Sequence, residues 1–155
     1  MTTTQDSNGT VKSGKANLLV LDDEISVRKL LVRLLTKLDY NVHETATIDE
    51  AYVVAHSVER LDVWVTDAHV ENRDASLEVE RFRELHPHLA VVLVSGCEPN
   101  CDRADILEEL GVVFLAKPFS PADLIGAVDN ALRHGLASST TVPLNVALGA
   151  AQTIP

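Results

Sequence analysis

Short apolar runs recur along this chain, separated by amphipathic stretches. Residues 17–22, 41–45, 62–67, 89–95 and 112–116 have strand length. Several are apolar throughout rather than alternating, which is the pattern of strands buried on both faces. After the first run, Val27, Leu30, Leu31, Leu34, Leu35 and Leu38 fall at i, i+3, i+4, i+7, i+8 and i+11, one stripe of a helix. A second helix is predicted from Thr47, whose hydroxyl can cap it while Glu50 reaches back to complete a capping box. A last one is predicted from Ser120, with Pro121 in its first turn and Asp123 favourable there, burying Leu124, Ile125, Val128, Ala131 and Leu132 and stopping at Gly135. Helices over residues 74–85 and 102–110 complete five strand-helix units. The alternation predicts an α/β fold, a doubly wound parallel sheet of five strands.

Composition changes this picture only at the ends. Residues 1–15 are rich in Thr, Ser, Gly and Asn, and residues 136–155 carry no charged side chain, so both read as tails or linkers around a domain at 16–135. A length of 155 residues leaves room for one domain, and 46 % hydrophobic with 23 % charged residues is an ordinary globular balance. The formal net charge of −10, with no basic cluster, disfavours direct contact with nucleic acid. No apolar run reaches the roughly 20 residues that span a bilayer, so no membrane insertion is expected. Cys97 and Cys101 are too few for a disulfide framework, and the first residues lack an apolar signal region. The expected location is cytoplasmic.

In a doubly wound sheet, ligands bind outside the carboxyl ends of the strands. Those ends carry Asp22 and Asp23 on the first strand, Asp67 on the third, Ser95 on the fourth, and Lys117 with Pro118 on the fifth. Three carboxylates gathered from different strands repel one another and raise each other's proton affinity unless a cation sits among them. A hard divalent ion is implied, and Mg2+ (or Mn2+) accepts a few carboxylates and a carbonyl while keeping waters. Such an ion beside a carboxylate nucleophile, with an ammonium and a hydroxyl nearby, suits phosphoryl transfer.

These residues sit in four motifs in order. Leu18-Leu19-Val20-Leu21-Asp22-Asp23-Glu24, Val63-Trp64-Val65-Thr66-Asp67, Val92-Leu93-Val94-Ser95-Gly96 and Phe114-Leu115-Ala116-Lys117-Pro118-Phe119 together resemble the receiver domain of bacterial response regulators, of the single-domain chemotaxis-regulator kind. The resemblance covers residues 16–134 and implies the flavodoxin-like fold with strand order 2-1-3-4-5. It implies Asp67 as phosphoacceptor, Asp23 and Asp67 as metal ligands, Asp22 acting mainly through a bound water, and the backbone carbonyl of His69 as a further ligand. Ser95 and Lys117 would hold the phosphoryl oxygens, Phe114 occupies the aromatic switch position, and the Lys117–Pro118 bond is expected to be cis.

The loop after Asp67 departs from that family's pattern. In place of a Met-Pro pair followed by glycine it has Val70-Glu71 and then Ala75, so residues 68–74 are expected to be mobile or to start their helix elsewhere. His69 and Cys97 stand at the two positions that, in the family this chain resembles, tune water access to the acyl phosphate.

The partners implied are a histidine kinase or histidine phosphotransfer protein and a downstream target protein, with the chain a monomer or a phosphorylation-dependent dimer. Three other readings stay open: an unphosphorylated pseudo-receiver that only docks, a receiver fragment of a larger hybrid kinase or regulator, and, more remotely, a small aspartate-nucleophile phosphatase. That last class wants a second acid where this chain has His69. Enzymatic activity beyond self-catalysed transfer to, and hydrolysis from, Asp67 is not expected.

Overall fold

The three central strand runs, apolar on both faces, form the middle of one parallel sheet whose faces are covered by helices, and the more polar run at residues 41–45 closes one edge. In the computed structural model, which describes residues 15–96 and 101–134, the elements are β1 (Asn17–Leu21), α1 (Ile25–Lys37), β2 (Asn41–Thr45), α2 (Ile48–Ser57) and β3 (Val63–Asp67). They continue with β4 (His69–Val70), β5 (Arg73–Asp74), α3 (Val79–Leu85), β6 (Ala90–Ser95), α4 (Cys101–Glu109) and β7 (Val113–Ala116). A final helix, α5, occupies residues 121–134. The five-stranded sheet has the order β2-β1-β3-β6-β7 and every pairing in it is parallel. This is the expected order, renumbered because β4 and β5 form a small antiparallel hairpin of their own.

Alternation along each strand sorts the core into two halves. Leu19, Leu21, Trp64, Val91 and Leu93 point to one side, where they meet Ile48, Ala51 and Ala55 of α2, Val79 and Phe82 of α3, and Leu107 of α4. Leu18, Val20, Val63, Val65, Val92 and Val94 point to the other, against Leu31 and Leu35 of α1 and Leu124, Val128 and Ala131 of α5. Aromatic stacking fixes the first half: Phe82 lies between Trp64 and Tyr52, with ring centroids 4.2 and 4.4 Å away. Tyr52 then donates its hydroxyl to Glu78 at 2.5 Å. Burial and that carboxylate push its ionisation upward.

The predicted helix starts differ from the observed ones in detail. Thr47 accepts from the Glu50 N–H at 3.0 Å, but the Glu50 carboxylate reaches the N–H of Ala46 rather than that of Thr47. At α5 the box is reciprocal: Ser120 accepts from the Asp123 N–H, and Asp123 accepts from the Ser120 N–H. The expectation that Ile125 is buried is corrected, since it is 37 % exposed and Ala127 takes the inward position. Gly135, Cys97 and, apart from Lys15, the proposed tails lie outside the described residues.

Residues 68–74, where the family motif is absent, form the β4–β5 hairpin. Glu71 and Asn72 have φ of 52° and 66°, the two positive values that a two-residue type I′ turn requires. Val70 anchors the hairpin in the core, and the Ala75 N–H closes its base on the carbonyl of Ala68 at 2.8 Å. A 3-10 turn (Ala75–Glu78), capped by Asp74, then leads into α3, so that helix begins later than residue 74.

The Tyr52–Phe82–Trp64 stack joins α2, α3 and β3, and Phe82 is wholly buried. Phe82→Ala should lower stability by about 3–5 kcal/mol in urea unfolding, against about 1 kcal/mol for removing the cap with Thr47→Ala.

Candidate functional site

The polar side chains of the site come at the carboxyl ends of the strands, where the chain leaves the sheet. Asp22 follows β1 directly and is fully buried; Asp23 beside it is exposed; Asp67 ends β3, the neighbour of β1. Each offers a carboxylate oxygen, and the three oxygens lie within 4.8 Å of one another. Lys117, just after β7, brings its Nζ to 3.4 Å from Asp67 Oδ1 and 3.9 Å from Asp22 Oδ2. Its position is set by the sheet: β7 pairs with β6, with Ser95 opposite Ala116, and the Lys117 N–H donates to the Ser95 carbonyl at 2.8 Å. Ser95 thus ends β6 next to Asp67, which is in register with Val94. The Lys117–Pro118 peptide bond is cis.

Fixed groups around the carboxylates supply part of their solvation. The Glu24 N–H donates to Asp22 Oδ1 and the Glu71 N–H to Asp23 Oδ2, each at 2.9 Å. Arg28 braces the corner by donating to the Asp22 carbonyl at 2.8 Å and to Glu44 at 3.0 Å, and it holds the Glu44 carboxyl below its usual range. Burial pushes the Asp22 carboxyl upward, aided by the charges of Asp67 and Asp23 and opposed by the Glu24 N–H and Lys117.

This donor set fits a hard cation. Asp22 Oδ2 is buried and accepts no hydrogen bond, and three carboxylates face the single ammonium that reaches them among the described residues. A divalent ion would relieve both conditions.

The structure therefore brings together Asp22, Asp23, Asp67 and Lys117, with Ser95 on the adjoining strand end. His69 starts the hairpin opposite Asp74 with its side chain exposed. Phe114 is partly buried and packs on the core half beneath α2 and α3. Sequence reasoning missed the Glu71 N–H and Arg28. An arginine one turn into α1 carries no distinctive spacing, and a turn amide carries none at all.

The family model of the response regulator receiver domain matches residues 18–129. The chain belongs to this family. Receiver domains are generally non-enzymatic signalling modules that typically bind Mg2+.

Among relatives of this receiver, the sensor kinase CckA of Brucella abortus is 31 % identical over 121 residues, which are 77 % of this chain and 13 % of the kinase. The chain spans about half the length of the transcriptional regulators it also matches. Two solved structures share the fold. One is a CheY-like receiver domain protein from Methanospirillum hungatei, with a TM-score of 0.71 at 17 % identity, covering 81 % of this chain and 99 % of that one. The other is a response regulator from Burkholderia pseudomallei with a phosphorylated aspartic acid, a calcium ion and citrate. Its TM-score is 0.65 at 22 % identity, covering 83 % of this chain and 76 % of that one. No helix among the described residues is long and apolar enough to cross a membrane.

Since folding raises the proton affinity of Asp22, its contribution to metal-free stability is fully present below the ordinary carboxyl range and is lost as pH rises through the raised value. Asp22→Asn keeps the acceptor for Glu24 and removes the buried charge. In EDTA at neutral pH the variant should be more stable than the parent by about 1–2 kcal/mol, with a flatter pH profile, as read by urea unfolding. Added Mg2+ should stabilise the parent more than the variant.

Proposed function

We propose that this receiver is phosphorylated on Asp67 by a phosphohistidine of a histidine kinase or histidine phosphotransfer protein, and that it signals in the cytoplasm by contact with a downstream protein. The observation that carries this reading is the gathering of the Asp22, Asp23 and Asp67 carboxylates within 4.8 Å, with Lys117 Nζ 3.4 Å from the Asp67 carboxylate. The phosphorylated aspartic acid and metal ion of the Burkholderia pseudomallei neighbour support it.

In the reaction, an oxygen of Asp67 attacks phosphorus while the phosphorus–nitrogen bond of the donor breaks, and its electron pair returns to the imidazole. The products are an acyl phosphate and a free histidine. Asp67 ends a central strand fixed on both sides, so the nucleophile is held in place before the donor arrives. Lys117 is assigned to balance charge that moves onto the phosphoryl oxygens, and the Ser95 hydroxyl to donate to them. Asp22, Asp23, Asp67 and the His69 carbonyl are the groups assigned to hold Mg2+. When bound, that ion supplies neutralisation of the phosphoryl oxygens.

The acyl phosphate adds negative charge and strong acceptors beside Ser95 and Lys117, which gives the two states different internal contacts. Phe114, a partly buried residue of β7, is assigned as the side chain that changes packing when Ser95 moves. Residues 16–135 form the receiver in this reading, and the segments on either side act as tails or linkers. The receiver is a monomer or dimerises when phosphorylated.

Incubation with acetyl phosphate and Mg2+ should add one phosphoryl group by intact mass, and no group in EDTA or in Asp67→Asn. Lys117→Met should slow the addition on the order of 100-fold. Mg2+ binding without any adduct would instead identify a docking module, and an adduct that persists in Asp67→Asn would remove Asp67 as acceptor.

A further inference from the structure

The β4–β5 hairpin is built at a conformational cost and ends on a carboxylate of the site. A type I′ turn suits Asn-Gly, because only such residues enter the left-handed region freely. Here its central residues are Glu71 and Asn72, with φ of 52° and 66°. Glu71 has no side-chain reason to prefer that region, so the surrounding structure must hold it there. Val70 does so from below, wholly buried with Ala68 and Ala75, and the Ala75 N–H closes the base on the Ala68 carbonyl. Arg73 adds contacts to Asp49 of α2 and to Glu78, each at 3.7 Å. The strained conformation aims the Glu71 N–H at Asp23 Oδ2, 2.9 Å away and forty-eight residues distant in sequence.

Asp23 is the exposed member of the three carboxylates. Asp22 is buried and held by the Glu24 N–H, and Asp67 is ion-paired with Lys117. The geometry points to the hairpin tip as a positioning element for the cation site: the Glu71 backbone N–H fixes the rotamer of Asp23 so that its carboxylate faces Asp22 and Asp67 before the ion binds. Glu71 and Asn72 are thus positioning residues that act through Asp23. Their effect on the ion comes from backbone conformation rather than from the Glu71 side chain. A ligand oriented in advance loses less freedom on binding, and groups that hold a metal ligand in this way typically change affinity 10- to 100-fold.

This inference rests on the reading of the three carboxylates as a Mg2+ site. It is tested by calorimetric titration of the whole chain with MgCl2. Two variants both remove the Glu71 charge and keep an N–H at residue 71: Glu71→Val, whose β-branch opposes positive φ, and the pair Glu71→Asn with Asn72→Gly, which favours the turn. The dissociation constant of the first should exceed that of the second on the order of 10-fold. Equal constants, with the parent binding Mg2+, would overturn the role of the hairpin while leaving the site intact. A parent that takes up no Mg2+ would remove the site reading itself, and the inference with it. Should Glu71→Val not fold, Asn72→Gly alone decides the matter: it should bind Mg2+ more tightly than the parent, and an unchanged constant would overturn the proposal.

Discussion

Mutual repulsion among three carboxylates is the constraint around which this domain is organised. Asp22, Asp23 and Asp67 have oxygens within 4.8 Å of one another, and one of the three side chains is wholly buried. In isolation such a cluster would spread apart or take up protons. It stays together because Asp22 and Asp67 flank adjacent, register-locked parallel strands whose remaining residues are buried on both faces. Asp22 cannot move away without pulling Leu21 from one core half and Val20 from the other.

The apolar strands and the acidic edge are therefore one design. A parallel sheet covered on both faces can place charged side chains only where its strands end, and doubly wound topology brings those ends to one edge. The counter-charges come from the same edge. Lys117 approaches from β7, two strands beyond β3, and the Glu24 and Glu71 amides approach from the loops after β1 and β3. Together they leave Asp22 Oδ2 without a hydrogen bond. A cation placed there would relieve both this unmet acceptor and the repulsion among the three carboxylates.

Much of the arrangement was legible in the residues. The five strand runs marked the strands of the sheet to within a residue of their ends, most sharply for β1, β3 and β6, which are apolar and buried on both faces. The stripe from Val27 to Leu35 marked α1, although Leu38, read as its last member, is the exposed residue that follows the helix; the ends of the runs marked Asp22, Asp23, Asp67 and Lys117. What escaped was set by contacts between distant segments. Glu71 and Asn72 are poor residues for a type I′ turn, so local preference argued against the hairpin that the burial of Val70 imposes. Ile125 was assigned to the core as one edge of the stripe Leu124, Ile125, Val128, Ala131 and Leu132, yet the helix is rotated so that Ala127 turns inward instead. The switch of Glu50 from the Thr47 to the Ala46 amide is a choice between neighbouring donors that no sequence rule separates.

The central claim is that the clustered charges make Asp67, and no other carboxylate of this acidic chain, the nucleophile. Reductive trapping tests it most directly. Borohydride converts an acyl phosphate of aspartate to homoserine, which tandem mass spectrometry of the digested, phosphorylated protein can locate. The account predicts homoserine at position 67 alone, formed only when Mg2+ is present during phosphorylation. Homoserine at position 22 or 23, or label spread over surface carboxylates, would contradict it.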